Sequence, residues 1–371
     1  MADFSDKKRI NKQIAVIMPA YNAERYLVSA AESILSQTYR DLTLLIVNDG
    51  SSDSTEEIIR ELAEKDARVR ALTLPNGGPA KARNAGLDYF LSDSRDEAHC
   101  SSEGSASPDY IMFCDADDEY LPDAFEKAVT AADDGSTQGA DIVFLGFTII
   151  NPDKTTNNYS EPDAEYTPET IGTAFTSLYK ANLLNQVWGK LFRADLIRDN
   201  GFRFPDYRWG EDRLFIYDCL EASKKISVSS YCCYLYKMYN SASLISGYYD
   251  RKPEVCRISD GRVRELCKKF GVTDDKDCRY MYLKSVFSCL TNLYSPTCKL
   301  SDQEKRAYAG RILKDEYVRE RVKGTGGGTA AKAISALLRT GSISLNLSAA
   351  KVLSAVSGST PLLMQKIKHK K

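Results

Sequence analysis

Three carboxylates crowd the end of one apolar run. Residues 110–125 read YIMFCDADDEYLPDAF, in which Tyr110 to Cys114 have strand character and Asp115, Asp117 and Asp118 follow within four positions. Like charges at that spacing repel, and partial burial raises the cost of ionising each one. Such a cluster calls for a compensating positive charge, and the local sequence leaves open a metal, an arginine or neither. A second acidic pair, Glu211 and Asp212 in WGEDRLF, opens a helix-like stretch, where carboxylates commonly do no more than face the helix dipole. The chain has only two histidines, His99 in a polar segment and His369 near its end, so neither competes for acid–base work.

The first part of the chain alternates strand-like and helix-like segments. IAVIM (14–18) is a short apolar run, and residues 23–37 carry apolar positions at helical spacing. LTLLIVND (42–49) reads as a second buried strand, and SSDSTEEIIRELAEK as a helix with Ser54 three before Glu57, a capping-box pattern. RVRALTLP follows as a strand, PAKARNAGLDYFL as a helix, PDAFEKAVTAAD as another helix and DIVFLGFTII as a further strand. Apolar strands alternating with helices argue for an α/β domain whose mostly parallel sheet is covered on both faces. Ligands of such sheets bind beyond the carboxyl ends of the strands, where Asp49 and the Asp115–Asp118 cluster both fall. The polar, Ser-rich segment 92–109 and the stretch 151–166 read as loops.

From about Lys252 the pattern becomes helical, and Cys256, Cys267, Cys278 and Cys289 recur every eleven residues as core positions. Ten scattered cysteines with no C-x-x-C point to reduced thiols rather than a zinc site or a disulfide framework. From Thr329 to Lys371 there is no Asp or Glu, while Lys332, Arg339, Lys351, Lys366, Lys368, Lys370 and Lys371 recur among apolar residues. A basic amphipathic tail suits an anionic membrane surface; packing on the protein is the plainer alternative. A net charge of −1 gives no support for nucleic-acid binding, and 43% hydrophobic with 27% charged residues is ordinary for a globular protein. MADFSDKKRINKQ is too polar for a secretory leader, and no apolar run approaches the roughly 20 residues that span a bilayer. A cytoplasmic protein, peripheral at the inner membrane face, is the expectation.

Taken in order, IAVIMPAYNAERYL, LLIVNDGSSDST, GGPAKARNAGL, FCDADDEYLPDAF, VWGKLFRADLI and WGEDRLF resemble the family 2 glycosyltransferases over roughly residues 13–240. The resemblance implies the GT-A nucleotide-sugar fold over residues 1–240, with a nucleotide half at about 13–150 and an acceptor half at about 151–240. A helical region at 241–328 and the basic tail at 329–371 complete the expected domains. It also implies an inverting transfer from a UDP-type donor to a saccharide or lipid-linked glycan, in capsule, exopolysaccharide or cell-wall synthesis.

Site roles follow from the same resemblance. Asp49 accepts a hydrogen bond from the nucleotide's pyrimidine, which suits an acceptor-only carboxylate. Pro19 and Ala20, with Tyr21 and Glu24, lie along the uridine. Gly77 and Gly78 let backbone approach the ligand, and Arg83, with Lys81, faces the diphosphate, to which a guanidinium is well matched. Asp115, Ala116 and Asp117 form the D-x-D element, in which Asp117 ligates a divalent cation, Asp115 contacts the ribose or the metal's water shell, and Asp118 supplies or supports the metal site. Oxygen ligands favour Mg²⁺ or Mn²⁺. Asp212 is the expected general base, with Glu211 beside it. Trp188, Lys190 and Trp209 are expected to line the sugar and acceptor pocket. A catalytically silent scaffold or glycan-binding subunit is the alternative, and a sugar nucleotidyltransferase is disfavoured because PAYNAERY is not a Gly-rich phosphate loop.

Overall fold

A computed structural model of the chain describes residues 12–92, 107–133, 139–153, 155–238, 247–323 and 328–359. The centre of the polar insertion, with His99, and the end of the tail, with His369 and the last four lysines, lie outside those residues. The elements, in chain order, are β1 (Ile14–Ala20), α1 (Leu27–Leu35), β2 (Leu42–Asn48), α2 (Thr55–Lys65), β3 (Val69–Thr73), α3 (Pro79–Leu91), β4 (Tyr110–Phe113), β5 (Glu119–Tyr120), α4 (Ala124–Ala132), β6 (Ile142–Ile150), β7 (Thr156–Tyr159), β8 (Ala164–Tyr166), α5 (Phe175–Lys180), β9 (Lys190–Arg193), α6 (Ala194–Asn200), α7 (Glu211–Ala222), β10 (Ile226–Lys237), α8 (Lys252–Lys269), α9 (Lys276–Asn292), α10 (Asp302–Lys314), α11 (Glu316–Val322), α12 (Thr329–Thr340) and α13 (Ile343–Ser359).

The chain divides into two compact units, one of residues 1–171 and 181–238 and one of residues 172–180 and 239–371. The first is built on a sheet of strand order β3-β2-β1-β4-β9-β6-β10-β5, with β7 on β6 and β8 on β10. Strands β1, β2 and β4 are buried almost throughout: β1 lies between β2 and β4, β2 between β1 and β3, and β4 between β1 and, at Tyr110 and Ile111, β9. Close helix packing depends on Gly86 of α3, where a Cβ would sit 2.5 Å from Ile17 Cγ2.

The first four strands in the order run parallel, as the strand–helix alternation requires. Beyond β4 the sheet is mixed, since β9 is antiparallel to both β4 and β6, and β10 returns parallel to β6. Two further differences from the sequence reading are local. The 151–166 stretch contains β7 and β8, polar strands that exist only by pairing with β6 and β10 and so leave no hydrophobic period. The capping box at α2 is absent: Ser54 makes no side-chain cap, and its N–H donates instead to Glu24 of another loop at 3.2 Å.

Register decides where the chemistry can be. Ala20 of β1 pairs with Asn48 of β2, and Ile17 of β1 with Phe113 at the end of β4. The loops leaving β1, β2 and β4 therefore emerge on one edge of the sheet.

The second unit is helical with a core of its own. Helices α8 and α9 bring Cys256 to 3.7 Å from Cys289 and Cys267 to 3.9 Å from Cys278, sulfur to sulfur, all four buried thiols outside any disulfide. The eleven-residue recurrence thus spans two helices rather than one. Buried Arg321 ties α11 to Asp260 of α8 at 2.9 Å and to Asp275 at 3.0 Å. Helices α12 and α13, the described part of the basic tail, pack on α9, with Ala331, Ser335, Leu338, Leu347 and Ala350 turned inward. Among the described residues no helix is long and apolar enough to cross a membrane.

Candidate active site

Asp49 stitches two loops together. It is 4% exposed, and its carboxylate accepts the N–H groups of Gly77 and Gly78, each at 2.8 Å, while Asn76 Nδ2 donates to its carbonyl at 3.0 Å. Gly78, at φ +88°, opens α3, a conformation that favours glycine. The PAYN loop is fastened to the NDGSSDST loop in the same way. Asn22 accepts the Ser52 N–H at 2.9 Å, Ala23 N–H donates to Thr55 Oγ1 at 2.8 Å, and Glu24 N–H donates to Asp53 at 3.2 Å. Glu24 is thus a loop-bracing residue, its carboxylate engaged by Ser54. Pro19 and Ala20 close β1, Tyr21 stands exposed beside them, and Lys81 is exposed at 4.0 Å from Asp206.

The acidic centre is organised by Arg83. From α3 its guanidinium reaches Asp115 Oδ1 at 2.8 Å, Asp212 Oδ1 at 2.8 Å and Glu211 Oε1 at 3.2 Å, and its side chain is 5% exposed. The local sequence left the counter-charge of the aspartate cluster open between a metal, an arginine and neither, and an arginine is present. Burial would lower the guanidinium pKa, but Asp212, Asp115 and Glu211 together raise it, so the cation is secure. The expected diphosphate contact of Arg83 is not what this geometry displays, because its donors face carboxylates. Burial pushes the Asp212 carboxyl up to about 7, against the pull of Arg83 and with the push of Glu211 and Asp115. Asp117 is exposed at the rim, and loss of water around it together with the Asp115 charge lifts its carboxyl to about 6.

Asp118 belongs to the framework. It is 1% exposed, accepts the Tyr234 hydroxyl at 2.9 Å and the Lys237 N–H at 2.8 Å, and burial raises its pKa well above the usual carboxylate range. Its expected support of a metal gives way to holding β10 against the DADD loop. Among the described residues no group of three or more His, Cys, Asp or Glu side chains is arranged to hold a metal. What remains for a cation is the pair Asp115 and Asp117, separated by buried Ala116. That pair fits a hard cation whose other ligands come from phosphate and water. One Arg83 against Asp115, Asp117, Glu211 and Asp212 also leaves the centre with negative charge to spare.

The expected sugar pocket is rearranged. Trp188 is 6% exposed and stacks on Tyr234 with ring centres 4.3 Å apart, edge-on to Phe147, so its faces are taken by the core. Lys190 is 1% exposed and donates to the carbonyls of Gln186 at 2.5 Å and Trp188 at 3.3 Å, with burial bringing its amine down to about 7. It closes the turn before β9 rather than reaching toward solvent. Trp209 is half-buried with Arg213 4.5 Å above its ring. Tyr234 was missed by sequence reasoning: its hydroxyl also accepts the Asp115 N–H at 3.1 Å, yet YCCYLYK carries only the pattern of a strand.

The family model for Glycosyl transferase family 2 matches residues 15–197. An uncharacterized glycosyltransferase of Haemophilus influenzae (strain ATCC 51907 / DSM 11121 / KW20 / Rd) is 32% identical over 216 residues, which is 57% of this chain and 73% of that protein. The uncharacterized glycosyltransferase EpsJ of Bacillus subtilis (strain 168) is 27% identical over 229 residues, and the match spans 60% of each chain. Among solved structures, S. aureus TarS 1–349 in complex with UDP-GlcNAc shares the fold at TM-score 0.63 and 21% identity, over 90% of this chain and 89% of that one. The chain belongs to glycosyl transferase family 2, and its first unit has the GT-A fold.

Replacing Tyr234 by Phe leaves buried Asp118 and the Asp115 N–H each short of a partner. Thermal or urea unfolding should show a loss of about 1–3 kcal/mol. An unchanged melting curve would remove Tyr234 and Asp118 from the framework of the site.

Proposed function

We propose that this chain is an inverting, divalent-cation-dependent glycosyltransferase. It moves a sugar from a UDP-type donor to a saccharide or lipid-linked glycan in surface-polysaccharide synthesis. The observation that carries the reading is the meeting of Asp115 and Asp212, far apart in the chain, on the two ends of one guanidinium. The D-x-D element and the Glu-Asp pair therefore flank a common site, as a donor subsite and a base must. The UDP-GlcNAc complex of the structurally similar TarS supports a UDP-type donor.

Asp212 is the base. Its side chain is 16% exposed, and it accepts the proton of the acceptor hydroxyl as that oxygen attacks the anomeric carbon opposite the departing diphosphate. Glu211, held on Arg83, keeps the start of α7 in place. Asp115 and Asp117 are the residues that would hold Mg²⁺ or Mn²⁺, which would supply charge neutralisation for the diphosphate. Asp49 presents its remaining lone pairs to the uracil imide while its bonds to Gly77 and Gly78 shape the loop beside the nucleotide. Lys81 and Tyr21, both exposed, stand at the rim.

With purified protein, Mn²⁺ and a panel of nucleotide sugars, Asp212→Asn and Asp117→Ala should each lower nucleotide release with the true acceptor by at least about 100-fold. Wild-type turnover in either variant would reject that residue's role. A wild-type protein that binds no UDP with metal in calorimetry would favour the silent scaffold instead. Because Asp212 must be ionised to accept a proton and its carboxyl is held up to about 7, kcat/KM should climb as pH rises through about 7. An acidic limb at the ordinary carboxylate position, near 4, would contradict this assignment.

The basic tail supports a peripheral site at an anionic, cytoplasmic membrane face. On α12 and α13, Lys332, Arg339 and Lys351 are exposed, and so are Leu345 at 47% and Val352 at 62%. The full chain should sediment with phosphatidylserine vesicles at low salt. Val352→Asp with Lys351→Glu, both at exposed positions, should cut the bound fraction several-fold, each basic residue contributing about 1 kcal/mol. Equal binding by the double variant would leave the tail as packing alone.

A further inference from the structure

Resting on the transferase reading, we propose that Arg83 is a positioning residue of the reaction, locking the donor-side carboxylate Asp115 and the base Asp212 to one rigid fork, rather than a ligand of the donor diphosphate. Both Nη nitrogens donate to carboxylates, at 2.8 Å to Asp115, 2.8 Å to Asp212 and 3.2 Å to Glu211. The Nε is buried without a partner, and the Phe204 ring lies 5.5 Å from the guanidinium carbon. The residue cannot swing outward easily. Its helix is pinned to β1 by Gly86 against Ile17, and its neighbour Ala82 is wholly buried.

A planar fork bonded at two ends fixes distance as well as charge. Asp115 stands on the donor side and Asp212 on the acceptor side, so the guanidinium sets the span across which the sugar is transferred. A diphosphate in contact with Arg83 would have to enter a nearly closed position and displace a carboxylate, exchanging one anion for another in a centre already negative. The groups that act on Asp212 are Arg83 of α3, Glu211 of α7, Asp115 after β4, buried Lys190 of β9 and the backbone of Val187 just before β9. Arg83 is the charged group that both touches Asp212 and favours its ionised form, beside the Val187 backbone hydrogen bond.

The test compares Arg83→Gln and Arg83→Lys in the full chain, reading UDP affinity with Mn²⁺, kcat, donor KM and the pH profile. A misplaced base should lower kcat by about 100-fold in Arg83→Gln, with UDP Kd and donor KM within about threefold of wild type. The acidic limb of kcat/KM should move to higher pH, because the ionised base has lost its neighbouring cation. Arg83→Lys, which keeps the charge without the fork, should restore the limb but only part of kcat. It is also the variant to read should the Gln form fail to fold. A tenfold or greater rise in UDP Kd with kcat retained would overturn the proposal in favour of a phosphate ligand, as would an unmoved pH limb in both variants. Absence of UDP binding and turnover in the wild type would reject the transferase reading itself, a separate outcome.

Discussion

One buried cation among three carboxylates is the interaction on which the site depends. Asp115, Glu211 and Asp212 come from two segments distant in the chain, and placed together without Arg83 they would repel one another or take up protons. Buried ion pairs are weak evidence for stability, because desolvation offsets much of the attraction. Their value here is geometric. A guanidinium bonded on both Nη nitrogens admits a narrow range of positions for its partners, so the two acidic elements are held in register.

The rest of the first unit is arranged to keep that fork still. Parallel pairing of β1 with β2 and β4 ends three strands on one edge, and side-chain bonds then tie the loops to each other. Asp49 holds the glycines that open α3, the helix that carries Arg83. Tyr234 and Asp118 hold the DADD loop to β10. Each brace uses a buried polar group with its partner present, the condition under which such groups rigidify rather than destabilise. Chemistry at strand ends is thus carried on elements that cannot drift.

The helical unit follows different rules. Its core is made by thiols paired across α8 and α9 and by Arg321 between Asp260 and Asp275, with α12 and α13 laid on α9. In the described part of the acid-free tail, α12 and α13 therefore have an inner face committed to packing and an outer face of lysine, arginine and isolated apolar residues. Of the two readings raised by its sequence, packing on the protein is realised on the inner side of these helices, and the membrane surface remains a proposal for the outer side.

Much of the fold was legible because apolar runs and helical spacing are local properties. The strands at 14–20, 42–48 and 110–113 and the helix at 79–91 could be drawn from pattern, and the position of Asp49 and the DADD cluster at strand ends followed from them. What the pattern could not supply was partnership. Glu24 and Asp118 have the same chemistry as Asp117, and Lys190 the same as Lys81, yet the first two and Lys190 serve the framework while the others face outward. Trp188 looked suited to a sugar and is instead stacked within the core. Residue type and spacing determined which groups were available at the sheet edge. Only the packing of distant segments decided which charges neutralise each other, because a carboxylate's role depends on the group within 3 Å of it, and that group is far away in the chain.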